Sequence, residues 1–218
     1  MPTLAEFLQQ AEPLARQSAV PLSVFFAAIM LFVSDWRIAL MAFAGLQVLA
    51  GLLLTQLLPP EWALLQWVVG GLVGIMWYLS ARRLDTIRRR QQNIPWWKPM
   101  WRLNPSTLMR LTLVVLLLTF IAIERPVLQV PRLPADLARF STYLALAGLV
   151  GLGLGDRPLR WGLSLMMWIL AASFAIHALQ VEADTVGILA GLQIVLGFGI
   201  SYLIIVDGAR FWPRPEDV

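Results

Sequence analysis

In a chain of 218 residues, 59% are hydrophobic and only 14% charged, with a net charge of +4. A soluble domain carries about 25% charged and about 45–50% apolar residues, so this composition excludes an ordinary soluble fold, and a length of 218 suits one compact bundle without a second soluble domain. Cys is absent and His177 is the single histidine, which excludes disulfides, thiolate or multi-histidine metal sites, iron–sulfur ligation and bis-histidine haem within the chain.

Residues Met1–Ser18 lack a basic n-region and carry Glu6 and Glu12, so they do not read as a signal peptide. Thr3 and Glu6 have the spacing of a capping box, and Leu4, Phe7, Leu8, Ala11, Leu14 and Ala15 make an apolar stripe. This predicts a short amphipathic helix lying in the interface, against the bundle or on a partner.

Seven apolar segments follow: Ala19–Val33, Ile38–Leu58, Trp62–Ala81, Ser106–Ile123, Phe140–Leu154, Trp161–Val181 and Thr185–Val206. A polar, basic, Trp-rich stretch from Arg82 to Pro105 separates the third from the fourth, and residues 207–218 form a polar tail. A span needs about 20 residues, which the second, third, sixth and seventh meet; the first and fifth need their flanks. Arg110, in the first turn of the fourth, is expected to snorkel to the headgroups. The expected fold is all-α, a polytopic membrane bundle of about seven transmembrane helices.

Alternating seven spans puts Arg16, Arg125, Arg132 and Arg139 on one side and the other 13 of the 17 basic residues on the opposite side. That asymmetry makes the basic side cytoplasmic, with the N-terminus outside and the C-terminus inside. Trp36, Trp62, Trp96, Trp97, Trp101, Trp161 and Trp212 fall at span ends or in adjoining loops, where indole prefers the interface. Trp168 lies deep in the sixth span.

Shifting the chain by 121 positions brings Asp35 onto Asp156, Gln56 onto His177, Glu61 onto Glu182 and Gly70 onto Gly191. Spans one to three then correspond to five to seven. Four spans separate equivalent elements, so the repeat reads as parallel rather than inverted.

The spans hold no Asp or Glu at membrane depth; their deepest polar side chains are Gln47, Gln66, Gln193, Ser164, Ser173 and His177. Proton and ion pathways usually use ionisable groups, whereas neutral amides bond across helices. Gln47, Ser164 and His177 would line a neutral polar path if there is one; interhelical bonding is the simpler role. Gly70-x-x-x-Gly74 and Gly187-x-x-x-Gly191 have the spacing for close helix approach, within the chain or to another subunit. Gly151-x-Gly153-x-Gly155 follows a membrane span rather than a strand, which argues against dinucleotide binding. Between Arg82 and Arg110, eight basic residues face one acid, Asp85. The run Arg88, Arg89 and Arg90 with Trp96, Trp97 and Trp101 suits docking to anionic lipid or an acidic partner; nucleic acid does not fit this setting. No cofactor is predicted. Asp35, Asp156 and Asp207, at cytoplasmic span ends, are the only carboxylate set a metal-dependent enzyme could use.

The stretch Arg37–Gln47, RIALMAFAGLQ, resembles a span of the K-type membrane subunit of NADH–quinone oxidoreductase, in which Gly-Leu precedes a mid-bilayer Glu. The second half, from Asp156-Arg157 through the sixth and seventh spans, resembles the component E family of hydrogenase-4-type complexes. That resemblance implies an all-helical subunit of an ion-translocating respiratory or hydrogenase-like complex in the bacterial inner (plasma) membrane. It also implies a carboxylate that this chain lacks. Gln47 stands at its first position, and Trp168, Ile169 and Leu170 occupy the second. The leading expectation is thus a non-catalytic subunit contacting lipids and other membrane subunits. A small transporter with a neutral path, or a membrane enzyme on a lipid or quinone, are the alternatives.

Overall fold

The computed structural model describes residues 19–33, 35–92, 105–124, 130–179 and 183–209. Their regular elements are all helices: α1 (Ala19–Phe32), α2 (Trp36–Leu54), α3 (Pro60–Gln92), α4 (Pro105–Glu124), α5 (Ala135–Gly153), α6 (Pro158–Leu179) and α7 (Ala183–Ala209). The amphipathic segment Met1–Ser18, the cluster Trp96, Trp97 and Trp101, Glu182 and the tail from Arg210 lie outside the described residues.

Local chemistry accounts for where the helices begin. Pro60, Pro105 and Pro158 each open a helix, at the position where a missing N–H costs nothing. Asp35 caps α2 by accepting from the Arg37 amide at 2.9 Å. One boundary differs from expectation. The stretch from Arg82 was expected to be loop, yet α3 continues through Gln92. Arg, Leu, Ile and Gln are good to moderate helix formers, and no Pro or Gly interrupts them before Pro95.

Five helical stretches are long and apolar enough to cross a bilayer: Trp36–Leu54, Leu64–Thr86, Ala135–Gly153, Pro158–Leu179 and Asp184–Gly208. The molecule is therefore a multi-pass helical membrane protein. In α1 the apolar helix is 14 residues long, and in α4 the described apolar stretch is Leu108–Leu117.

Helices α1, α2 and α3 pack in succession, and α5, α6 and α7 do the same. The two triplets meet where α3 lies along α7 and α1 along α5, with α4 against α1 and α5. The core is aromatic and sulfur-rich: Phe43 and Trp77 meet as tilted rings 5.2 Å between centres, Phe140 meets Phe174 edge-on at 5.5 Å, and Met166 and Met167 are fully buried. Lipid is as apolar as leucine, so close fit rather than hydrophobicity must hold such helices together. At the α5–α6 contact, Gly148 and Gly151 let Ser164 press against the α5 backbone, where a Cβ would collide.

One face of the bundle collects charged helix ends. Arg37 at the start of α2 reaches Asp85 near the end of α3 at 3.5 Å, and Leu84 packs on Gly208 of α7. Arg160 of α6 pairs with Asp156 at 3.5 Å and donates to the Val33 carbonyl after α1. Arg110 joins α4 to the same face. One end of each of the seven described helices thus lies at that face.

Candidate functional site

Three glutamines from three helices converge in the buried interior. Gln47 lies mid-way along α2, Gln66 in the second turn of α3 and Gln193 in the middle of α7, and their relative exposures are 2%, 9% and 1%. The Gln66 amide nitrogen donates to the Gln47 oxygen at 2.7 Å and to the Gln193 oxygen at 3.2 Å. Gln193 donates back to the Gln66 oxygen at 3.3 Å. Gln66 is thus the hub. The Gln47 nitrogen is buried without a partner among the described residues, which leaves one donor of the cluster unsatisfied.

Glycine makes the cluster sterically feasible. The Gln47 stem crosses α3 over Gly70, one turn beyond Gln66, and a Cβ at Gly70 would lie 2.8 Å from the Gln47 Cβ and Cγ. Further along the α3–α7 seam, buried Trp77 donates its indole N–H to the Gly197 carbonyl at 3.0 Å. A Cβ on Gly197 would lie 2.8 Å from the Met76 methyl and 2.9 Å from a Val73 methyl. The seam is therefore held by amide bonds at one level and by an indole over a glycine at another.

Arg110 behaves differently from the snorkelling side chain expected of it. It is buried, donates to the Leu154 carbonyl at the end of α5 (3.2 Å) and pairs with Asp156 at 3.3 Å. A guanidinium at a helix C-terminus meets both the unpaired carbonyls and the negative end of the dipole, which competes well with the headgroups.

The residues expected to line a polar path fall on separate contacts. Gln47 belongs to the amide cluster of α2, α3 and α7, and Ser164 sits under Gly151 between α5 and α6. His177 lies 13 residues beyond Ser164, about 20 Å along α6, with Nδ1 2.6 Å from the Ser173 carbonyl and Nε2 buried without a partner among the described residues. Arg88, Arg89 and Arg90 fall within the extension of α3. Asp35 caps α2 and Asp156 pairs with two arginines; among the described residues no group of three or more His, Asp or Glu side chains could hold a metal ion.

Gln66 and Gln193 carried a sequence signal, as lone amides in apolar runs. Trp77 carried none, since an indole in a span ordinarily marks the interface. No protein-family model, curated protein or solved structure matches this chain.

Proposed function

We propose that this chain is a non-catalytic integral subunit of a larger membrane complex, crossing the bilayer seven times and acting through helix packing and docking. The observation that carries this reading is the amide cluster. The deepest polar side chains of α2, α3 and α7 bond to one another, Ser164 lies against the α5 backbone, and His177 meets the Ser173 carbonyl of its own helix, so the amides and Ser164 serve cohesion between helices. Such a chain offers its surroundings surfaces rather than chemistry. The outer surfaces are broad: only 28% of the α7 span and 39% of the α3 span is buried within the chain.

A seven-span, parallel-repeat topology is supported by the helix bounds. Shifted by 121, the last residue of α1 falls on the last of α5, the first of α2 one before the first of α6, and the first of α3 two before the first of α7. Contacts between helices close to that offset, Trp77 with Gly197 and Val24 with Tyr143, are those expected near a two-fold axis along the membrane normal. The charged face described above carries the arginine-rich ends and is the cytoplasmic one in this reading. The resemblance to hydrogenase-4 component E and K-type subunits extends the proposal to a respiratory or hydrogenase-like assembly of the bacterial inner membrane. There Gln47, in place of the acid, would keep the packing role and lose translocation. Arg88, Arg89 and Arg90 with Trp96, Trp97 and Trp101 would dock a neighbouring subunit.

The test is purification of the tagged chain from its native membrane in mild detergent, with mass spectrometry of what co-elutes. Stoichiometric, reproducible membrane subunits are the expected result. A chain that elutes alone or only with copies of itself would overturn the proposal.

A further inference from the structure

A laterally open groove of about 460 Å³ runs between α2 and α3. Its floor is glycine: Gly70 and Gly74 lie under α2 side chains, while Gly71 has open space where a Cβ would stand. Its two rims are helix stripes of matching pattern. On α2, Arg37, Met41, Ala44 and Val48 follow at intervals of four, three and four; on α3, Gly71, Ile75 and Tyr78 line the groove, and Arg82 continues their stripe one turn beyond it. Because α2 and α3 are antiparallel, both stripes end in an arginine at the same membrane face.

The dimensions suit one leaflet. From Arg37 to Val48 the α2 rim is about 16 Å long, roughly half of a hydrocarbon core about 30 Å thick. The inner end offers a polar ligand only the Gln47 nitrogen, buried without a partner among the described residues, because the Trp67 indole N–H donates to the Val48 carbonyl at 2.9 Å and the Gln47 oxygen accepts from Gln66. At the outer end the situation reverses. Asp85 takes one side of Arg37, at 3.5 Å, yet the Arg37 side chain is 57% exposed, and Arg82 and Arg83, within one turn of Asp85 on α3, are exposed as well. Asp35, the other nearby acid, is engaged with the Arg37 amide as the α2 cap. Tyr78 and Trp36 meet as tilted rings 5.7 Å between centres at this level, the kind of aromatic pair found at headgroup depth.

We propose that this groove seats one acyl chain of an anionic phospholipid from the leaflet on the Arg37 side, with its phosphate held by Arg37 and Arg82. An apolar slot one leaflet long, ending in cationic donors, complements that molecule at both ends. The proposal rests on the membrane placement of α2 and α3 and not on the complex-subunit reading, so either can fail without the other.

The test reconstitutes the full chain in phosphatidylcholine vesicles containing chain-labelled phosphatidylglycerol or chain-labelled phosphatidylcholine, and reads the motionally restricted spin-label fraction. The wild type is expected to restrict phosphatidylglycerol in excess of phosphatidylcholine. Gly71→Leu fills the slot without meeting other atoms at its Cβ and is expected to remove that excess. Gly191→Leu, on α7 and equally open, is expected to leave it unchanged. Arg37→Gln and Arg82→Gln are each expected to lower the preference roughly fivefold. Equal restriction of both lipids by the wild type, or an unchanged excess in Gly71→Leu with native circular dichroism, would overturn the proposal. So would a wild-type dimer that Gly71→Leu converts to monomer with the lipid signal unaltered, since the groove would then hold a second copy.

Discussion

Gln66 and Gln193 exchange hydrogen bonds in both directions, at 3.2 and 3.3 Å, across 127 positions of chain. The same Gln66 nitrogen also serves Gln47, so one side chain ties α3 to two other helices. In lipid each of these amides would otherwise lack a partner, yet measured interhelical bonds between polar side chains average only about 0.6 kcal/mol, with a maximum near 1.7.

Substitutions in the cluster should therefore be graded. Gln66→Leu orphans both neighbours and is expected to lower stability by about 1–2 kcal/mol, close to that maximum. Gln47→Leu removes a side chain that already has an unpartnered nitrogen, so it should cost distinctly less. Unfolding of the reconstituted chain by denaturing detergent measures both. Equal costs would contradict Gln66 as the hub.

Adjacent glycines of α3 should respond in opposite ways. Gly70→Ala pushes a methyl into the Gln47 stem and is expected to destabilise by about 1–3 kcal/mol. Gly71→Ala meets nothing within 4 Å and should be neutral or slightly stabilising, since Ala is the better helix former. The same unfolding assay separates them.

Arg110→Gln should weaken the junction of α4 with the α5–α6 turn. A bond from a charged donor is worth about 1.5–3 kcal/mol, and Asp156 keeps Arg160, so a loss near the lower end is expected. Faster proteolysis at Gly155–Arg157 would accompany it. Arg110→Lys, with a point charge instead of a fork, should restore only part of the loss.

Arg132 carries a φ of +68° in a turn whose Leu133 amide donates to the Val130 carbonyl at 3.2 Å. With Pro131 in second place, this is type II turn geometry, which favours glycine in third place. Arg132→Gly is expected to raise stability by roughly 1 kcal/mol in the unfolding assay.

The seven-span order is open to a labelling test, because a chain without Cys accepts single cysteines cleanly. Arg83→Cys and Arg157→Cys should react with an impermeant maleimide from one side, and Arg139→Cys from the other. Arg83 and Arg139 reacting from the same side would show that α4 does not cross.

The sequence by itself determined the solvent and the helical class and carried the chemistry of several helix starts, though not the end of α3. Apolar runs of span length leave only helices with internally satisfied backbones, and Pro60, Pro105, Pro158 and Asp35 mark starts through rules that act within one turn. It was also enough to mark Gln47, Gln66 and Gln193 as unusual. Only the tertiary structure decided that these three meet, that Gly70 makes room for Gln47 while Gly187 and Gly191 face open space, and that Arg110 turns inward to Leu154. The reason is that lipid-facing and core-facing positions of a membrane helix are equally apolar. Hydrophobic periodicity therefore does not point inward, and the facing of each helix follows from small and polar contacts between residues far apart in the chain.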